Sequence, residues 1–530
     1  MIHTLSSYRG AVSAPHHLAA QSGLAVLRDG GNAVEAAVAA AATVAVDYPH
    51  MNSIGGDGFW LIGEPGKTPI AIDACGAGGK AVGPEFFKAR KLSDIPDFGP
   101  LAAWTVAGTI AGWKAALEVS TAWGGRIGLK RLLEDSIHYA RKGFPFPASI
   151  ASTTRSVQTK FAAVPGFADR FLPGGKVPEA RSRFVQESLG RTLERIADAG
   201  CDDFYRGDLA RAIASDLKQI EVPLDLSDLE ATRANRVAPL ALDLGPATAY
   251  NLPPPTQGIT SLMILGLFER LKIETAETFD HVHGLVEVMK QAFIVRNAHI
   301  ADPVDMKRDV QEFLSAATLD RLAGRIDRAK ALPWPPADGS SDTIWLGVID
   351  GQGRAVSFIQ SLYAAYGSGC VLPKTGILWQ NRARGFSLDP TQPNFLRAGH
   401  KPFHTLNPAM ARFKDGRLMT YGTRGADAQP QIQGAVFSRY AYFGQTLQQS
   451  ISAPRWRLAA GRKGSTENRL LIETRFKPDV IDGLRRAGHN VEPTSEFDFQ
   501  MGHAGALVHH ANGAIEAAVD PRSDGVVAAF

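Results

Sequence analysis

The sequence predicts an α+β fold in which two β-sheets lie stacked between layers of helices. Residues 109–330 repeat apolar side chains at three- and four-residue spacing, which is the period of a helix. From Thr343 onward the pattern changes to short apolar runs separated by turn residues, which is typical of strands. The first two of these runs are apolar on both faces, and such strands belong in a sheet that is covered on both sides.

The N-terminal elements have clear boundaries. Residues 17–29 form a predicted amphipathic helix that ends at a Gly-Gly pair. Asn32 is then an N-cap, and Glu35 three residues later completes a capping box for an alanine-rich helix. A buried strand is predicted over residues 59–62, directly after the run Ile-Gly-Gly-Asp-Gly.

Later elements follow the same two periods. Two central helices are predicted over residues 209–220 and 281–299. Residues 343–350 and 355–361 are predicted to form a hairpin, because Asp-Gly-Gln-Gly between them is a turn sequence. Further strands are predicted over residues 417–421, 469–472, 504–509 and 514–519.

The composition is that of a globular protein with a large core, since 45% of the 530 residues are hydrophobic and 21% are charged. The formal net charge is +4, with no long run of either sign, which gives no support for a nucleic-acid or membrane partner. The N-terminus has no apolar signal core, and the most apolar run, residues 36–46, is too short to span a bilayer. We therefore expect a cytoplasmic protein.

Common cofactor and metal motifs are missing or incomplete. There is no Gly-x-Ser-x-Gly elbow and no Gly-x-Gly-x-x-Gly loop, and Leu61 stands where a phosphate loop would need its first glycine. Three widely spaced cysteines argue against a disulfide framework or a zinc site. His281 and His283 face different sides of a helix, and prolines around His400 and His404 exclude a regular metal-binding helix. We expect no metal and no cofactor.

The stretch of residues 331–342, ALPWPPADGSSD, is predicted to be exposed, and it immediately precedes the strand that starts at Thr343. A threonine hydroxyl is a weak nucleophile without an adjacent base. If the bond before Thr343 were cut, its own α-amino group, with an ordinary pKa of about 7.7–8.0, would be that base. Threonine is also common at strand starts for structural reasons, so this feature alone leaves both interpretations open.

Ordered motifs run along nearly the whole chain. They are APHHLAAQSGLAVLRDGGNAVEAAVAAA, YPHMNSIGGDGF, TVAGTIAGW, DFYRGDLA, LPPPTQG, HGLVEVMKQAF, DTIWLGVIDGQGRAVSFIQS, KPFHTLNPAM, YGTRGADAQPQ, MGHAGAL and AVDPRSDG. In this order they resemble the γ-glutamyltranspeptidase family of N-terminal nucleophile hydrolases. The resemblance implies a four-layer αββα sandwich and autocleavage before Thr343. It also implies a large subunit (1–342) and a small subunit (343–530) in one composite fold, with a homodimer of the processed heterodimer as one arrangement.

The resemblance implies roles for four residues in the chemistry. Thr343 matches the nucleophile, whose α-amino group is the base, and Ser361 matches a threonine that hydrogen-bonds the nucleophile in relatives. Gly425 and Ala426 match a Gly-Gly pair whose backbone N–H groups form the oxyanion hole, and alanine supplies an N–H as well as glycine does.

The substrate-binding positions of typical relatives are not kept. Around Gly83 there is no arginine for a glutamyl α-carboxylate, and Gly385 stands where relatives have the aspartate that holds the α-amino group. Tyr363 replaces an asparagine, and His404-Thr405 replaces a pair of serines. Losing both charges should strongly weaken the binding of a glutamyl group.

A bulkier, cationic lining is predicted instead, made by Tyr363, Trp379, Arg382, His404 and Thr405. It suits a smaller acid, or one without an α-amino group. It resembles the branch of oxamate amidohydrolases and, to a lesser degree, that of glutaryl-cephalosporin acylases. A core position for Trp379 and a structural ion pair for Arg382 are the alternatives.

The leading hypothesis is hydrolysis of a small amide through an acyl-enzyme on Thr343, with oxamate giving oxalate and ammonia. The alternatives are a γ-glutamyltransferase or glutathione hydrolase, a glutaryl-cephalosporin acylase, and an uncleaved binding protein on the same fold. The expected partners are the small amide and the two subunits of one precursor.

Overall fold

The computed structural model describes residues 3–334, 342–459 and 468–530. Its strands are Leu5–Ser7 (β1), Gly10–Ala14 (β2), Asp57–Gly63 (β3), Ile70–Ala74 (β4), Phe144–Pro145 (β5), Arg183–Phe184 (β6), Asn235–Val237 (β7), Leu240–Asp243 (β8), Ala247–Asn251 (β9), Asp342–Asp350 (β10), Ala355–Tyr363 (β11), Ala409–Phe413 (β12), Leu418–Thr423 (β13), Trp456–Ala459 (β14), Arg469–Glu473 (β15), Val491–Thr494 (β16), Ala504–His509 (β17), Ile515–Val519 (β18) and Val526–Ala529 (β19). Its α-helices are His17–Arg28 (α1), Ala33–Asp47 (α2), Pro84–Ala89 (α3), Thr109–Ala122 (α4), Leu129–Lys142 (α5), Ala148–Phe161 (α6), Phe167–Phe171 (α7), Glu187–Ala199 (α8), Asp203–Arg206 (α9), Asp208–Gln219 (α10), Leu226–Ala231 (α11), Gly258–Arg270 (α12), Phe279–His299 (α13), Ala316–Ala323 (α14), Ala428–Phe437 (α15), Leu447–Ser452 (α16) and Pro478–Arg486 (α17).

Two seven-stranded antiparallel sheets form the centre of the molecule. The nucleophile sheet, which contains Thr343, has the order β19-β2-β10-β11-β3-β4-β7. The second sheet has the order β1-β18-β17-β13-β12-β9-β8. Each sheet takes strands from both sides of Thr343, so the two parts of the chain share one fold.

Three apolar cores define the four layers. The core between the sheets includes Phe59, Leu61, Trp345, Met410 and Leu507. A second core joins α1, α2 and α4 to the outer face of the nucleophile sheet. A third joins α12, α13 and α15 to the outer face of the second sheet. Helices therefore cover both sheets, and the predicted α+β sandwich is confirmed.

The sequence signals for local structure also hold. Asn32 caps α2 by accepting the N–H groups of Val34 and Glu35, and the Glu35 carboxylate accepts the Asn32 N–H at 2.8 Å. Every residue of α2 is buried, because its alanines let neighbouring helices approach closely. The predicted hairpin is β10 and β11, paired antiparallel.

The stretch 331–342, predicted to be exposed, is described only at residues 331–334 and 342, and its residues 335–341 lie outside the described residues. Its first part, at Leu332, is tied to α13: the Glu287 carboxylate accepts the Leu332 N–H and the Lys290 ammonium donates to the Leu332 carbonyl. Within the described ranges, no helix is both long and apolar enough to cross a membrane.

Candidate active site

Thr343 and Ser361 meet at one end of the β10–β11 hairpin. Both side chains are buried, and their hydroxyl oxygens are 3.0 Å apart. The strand register shifts here, since Asp342 pairs with Tyr363 while Ile344 pairs with Gln360. Such bulges are frequent beside active sites because they re-aim side chains.

Hydrogen bonding orients the hydroxyl group of Ser361. Its hydroxyl oxygen accepts the backbone N–H of Tyr363 at 2.8 Å, which is possible because Tyr363 has a φ of 82°. Because the oxygen is the acceptor in that bond, the Ser361 hydroxyl can donate its proton to the Thr343 oxygen. A positive φ is strained for a tyrosine, and such strain is concentrated at functional sites.

Gly425 and Ala426 follow β13 in an unusual backbone conformation, with φ values of 126° and 49°. Neither N–H group has an acceptor among the residues that the structure describes. The Ala426 carbonyl, by contrast, accepts from the Gln257 side chain at 2.9 Å. Two fixed N–H groups without an acceptor are what an oxyanion hole needs.

Arg382 is a fully buried cation without a hydrogen-bond partner in the described chain. Its side chain is 1% exposed, and none of its three nitrogens is bonded. The guanidinium lies 4.2 Å from the centre of the Tyr363 ring. Burial lowers the pKa of Arg382 to about 10. An unpaired buried charge is costly, and a bound anion would compensate it.

His404 pairs with Asp57, and both side chains are completely buried. His404 Nε2 is 3.0 Å from Asp57 Oδ2. Burial lowers the pKa of His404 well below its usual range, so the ring is neutral, and burial raises the pKa of Asp57 to about 7. Asp57 lies directly opposite Ser361 in the strand pair β3–β11, so the two side chains share a face of the sheet.

A cavity of about 280 Å³ brings three of the five predicted substrate residues together, whereas His404 and Trp379 do not line it. Tyr363, Arg382, Thr405 and Ala426 all line it. The Thr405 hydroxyl has no hydrogen-bond partner within the described part of the chain. The cavity is therefore small and polar, with a cation at its wall.

Trp379 lies elsewhere. It is fully buried in the apolar core that also contains α2 and α4, and its indole N–H donates to the Thr105 carbonyl at 3.0 Å. It does not line the cavity, because that contact holds the ring in the helix-covered core. The structure thus favours the core alternative for Trp379.

Two supporting residues were missed by the sequence reasoning. Asp57 stands in the Gly-Gly-Asp-Gly run before β3, and Gln257 stands in the LPPPTQG motif. The Gln257 amide donates to the carbonyls of Thr405 and Ala426, and it accepts from Arg296 at 2.8 Å. Both residues lie in sequence motifs that resemble the family but have no assigned role, and this was the only sign in the sequence that they matter.

Among the residues that the structure describes, one group of potential metal ligands occurs away from the cavity. The ligand atoms of His283, Glu287 and His489 lie within 4.8 Å of one another. Each already has a partner: His283 bonds His489 at 2.9 Å, and the Lys290 ammonium bonds Glu287 at 2.6 Å. Because a lysine already neutralises the carboxylate, we assign no metal to this group.

Comparison with known proteins adds to this geometry. Residues 19–530 match the family model described as Gamma-glutamyltranspeptidase. The chain is 50% identical to the oxamate amidohydrolase proenzyme of Klebsiella pneumoniae subsp. pneumoniae over 99% of both chains. It is 38% identical to a glutathione hydrolase-like proenzyme of Bacillus subtilis over 97% of both. A cephalosporin acylase from Bacillus halodurans has a similar structure, with a TM-score of 0.92, 30% identity and coverage of 100% of this chain and 97% of that chain.

Proposed function

The chain belongs to the γ-glutamyltranspeptidase family of hydrolases, and on that premise we propose that it is a self-processed amidohydrolase acting on a small carboxylate amide, with oxamate as the substrate. The observation that carries the proposal is Arg382, a buried guanidinium without a hydrogen-bond partner in the described ranges. It lies over the ring of Tyr363, whose N–H donates to Ser361. Its planar fork matches a carboxylate.

Self-processing comes first in the proposed sequence. The Thr343 hydroxyl attacks the carbonyl carbon of Asp342, the peptide C–N bond breaks, and water hydrolyses the resulting ester. This produces fragments of 342 and 188 residues from the 530-residue chain. The new α-amino group of Thr343 has an ordinary pKa of about 7.7–8.0 and can take the hydroxyl proton at working pH.

Hydrolysis of the substrate then proceeds through an acyl-enzyme. The substrate carboxylate pairs with Arg382, and its amide carbonyl oxygen receives the N–H groups of Gly425 and Ala426. The Thr343 oxygen bonds to the amide carbon while its proton passes to the α-amino group. That proton leaves with ammonia as the C–N bond breaks, and an oxalyl ester remains. Water, deprotonated by the same amine, releases oxalate, and the Thr343 oxygen regains a proton.

Two measurements test this proposal in sequence. A denaturing gel should show two fragments, and Edman sequencing of the smaller one should begin Thr-Ile-Trp. A purified, active protein that remains one chain would contradict self-processing. The mature enzyme is then assayed with oxamate, a glutaryl amide and a γ-glutamyl anilide. A large advantage of the γ-glutamyl compound in kcat/KM would overturn the proposed substrate.

Assembly and location are separate parts of the proposal. We propose that the processed heterodimer works in the cytoplasm and pairs with a second copy. Sedimentation of the mature enzyme measures the assembly, and cell fractionation measures the location. A heterodimer that stays single at assay concentration would contradict the pairing.

A further inference from the structure

The buried pair of Asp57 and His404 has a defined hydrogen-bond pattern. Asp57 Oδ1 accepts two backbone N–H groups, from Gly76 at 3.1 Å and from Gly108 at 3.0 Å. Backbone N–H groups can only donate, so this oxygen is held as an acceptor. Asp57 Oδ2 is left to face His404 Nε2 at 3.0 Å.

This pattern fixes the tautomer of His404. Above its pKa of about 7, Asp57 is ionised and can only accept, so the neutral imidazole carries its proton on Nε2 and donates it to Oδ2. Its other nitrogen, Nδ1, then carries a lone pair. Nδ1 is buried and has no hydrogen-bond partner among the described residues. The edge of the ring packs against Phe59, with ring centres 4.8 Å apart, which holds its orientation.

The surroundings of the pair belong to the candidate site. Asp57 is opposite Ser361, whose hydroxyl is 3.0 Å from that of Thr343. Arg382 is close enough to both Asp57 and His404 for its charge to act on them. The other nearby cation, Lys401, is already paired with Asp73 at 2.5 Å. Thr405, the residue after His404, lines the cavity together with Arg382, whereas the His404 ring is fully buried and does not line it. Within the described chain, neither the Arg382 guanidinium nor His404 Nδ1 has a hydrogen-bond partner.

We propose that Asp57 is a positioning residue that fixes His404 as an acceptor, and that this acceptor selects substrates with an N–H donor next to their carboxylate. The proposal deepens the proposed function and rests on it. In oxamate the amide nitrogen and the carboxylate are on adjacent carbons. An acceptor beside a guanidinium matches that pair of groups, whereas a methyl group in place of the amide nitrogen leaves the buried acceptor without a partner.

Asp57→Asn is a nearly isosteric test of this role. The two backbone N–H groups keep the amide oxygen of the introduced asparagine facing them, so its NH₂ group faces His404 Nε2 and donates. The His404 proton should then move to Nδ1, and the acceptor becomes a donor. Asp350→Asn is the matched control, because Asp350 is also buried and accepts backbone N–H groups, from Ala33, Gln352 and Arg354, at the far end of β10.

The tautomer can be read directly by ¹⁵N NMR of histidine-labelled mature enzyme at pH 8.5, with His404→Phe identifying the signal. We expect an unprotonated Nδ1 in the wild type and in Asp350→Asn, and a protonated Nδ1 in Asp57→Asn. A protonated Nδ1 in the wild type, or no change in Asp57→Asn, would overturn the inference while leaving the proposed function intact.

Kinetics supply the second readout. Pyruvate has the shape and charge of oxamate but carries a methyl group in place of the NH₂ group. The ratio of the pyruvate Ki to the oxamate KM should fall by roughly 10- to 100-fold in Asp57→Asn and in His404→Phe, and stay unchanged in Asp350→Asn. An unchanged ratio in both site variants refutes the inference. Absence of oxamate turnover in the wild type instead refutes the proposed function.

Discussion

Replacing Arg382 by methionine should change stability and catalysis in opposite directions. The guanidinium is 1% exposed, and none of its nitrogens has a hydrogen-bond partner in the described chain. In the free enzyme it is therefore a buried charge that the described part of the fold does not compensate. With substrate bound, the same charge would meet a carboxylate.

The magnitude of the stability change follows from the burial of the group. Burial lowers the pKa of Arg382 to about 10, more than two units below the ordinary value, which corresponds to roughly 3 kcal/mol of unfavourable burial. The contact with the Tyr363 ring at 4.2 Å offsets about 0.5–2 kcal/mol of it. A methionine of similar length should therefore raise the free energy of unfolding by roughly 1–3 kcal/mol.

The free-energy loss in catalysis should exceed the gain in the free energy of unfolding. Removing one partner of a buried charge pair typically costs about 2–5 kcal/mol, which is roughly a 30- to 5,000-fold loss of kcat/KM for oxamate. Self-processing should continue, because Arg382 is not hydrogen-bonded to Thr343. Arg485→Met is the control, since Arg485 lies outside the cavity and forms an exposed ion pair with Asp482, so its loss should change little.

The assay combines urea unfolding of the free enzyme with steady-state kinetics on gel-verified, processed protein. A kcat/KM within about threefold of the wild type would refute the carboxylate role of Arg382. A clear loss of stability in the free enzyme would show instead that Arg382 serves the fold.

Further predictions address the nucleophile, its support, pH and metals. Thr343→Ala should remain a single chain on a denaturing gel; cleavage of the same bond in this variant would exclude the Thr343 hydroxyl as the attacking group. Ser361→Ala should lower kcat by roughly 10- to 100-fold through the loss of one orienting hydrogen bond, and full activity of the matured variant would argue against that role. Burial raises the pKa of Asp57 from 3.8 to about 7. The protonated carboxyl therefore contributes its full stability at pH values below 3.8, and this contribution is lost as the pH rises through 7. The gain in unfolding free energy from Asp57→Asn should therefore grow by a few kcal/mol between pH 5 and pH 8 in urea titrations; parallel pH profiles of variant and wild type would contradict it. EDTA should leave kcat/KM unchanged, because the proposed steps use no metal, and a loss that Zn²⁺ restores would contradict the mechanism.

Local signals in the sequence were sufficient for much of the fold. Asn32 and Glu35 are three residues apart, so the capping box that starts α2 is a local property of the chain. The β10–β11 hairpin likewise depends on a turn between adjacent strands. The layered arrangement could be inferred because strands that are apolar on both faces must be covered on both sides.

The site was less predictable because its contacts join distant parts of the chain. Asp57 and His404 are 347 residues apart, and no local sequence pattern predicts that they are in contact. Trp379 shows a second limit: a tryptophan suits a cavity wall and a core equally well by its chemistry. Only the contact with Thr105, 274 residues away, separates the two. Motif resemblance reached Thr343 and Ser361, but it could not show that Arg382 lacks a hydrogen-bond partner throughout the described ranges.

The departures from typical relatives are not scattered over the molecule. Tyr363, Gly385 and Thr405 line the same cavity as Arg382, and His404 directly precedes Thr405. The groups proposed to cleave the bond, by contrast, are a pair of hydroxyls and a pair of backbone N–H groups, the same chemical groups that the resemblance to the family implies at these positions. We infer that the groups for bond cleavage were retained while the residues that bind the substrate changed.

Gly385 shows why the change in the substrate-binding residues involves more than one position. A Cβ added there would lie 2.4 Å from the carbonyl oxygen of Phe403 and 3.0 Å from the Pro402 side chain. The aspartate that typical relatives carry at this position therefore cannot be accommodated unless the backbone before His404 moves. That same backbone places His404 on Asp57 and Thr405 on Gln257. The arrangement that places Arg382 and Thr405 at the cavity thus leaves no room for the aspartate that would bind a glutamyl amino group, which is the reason we propose a substrate without that group.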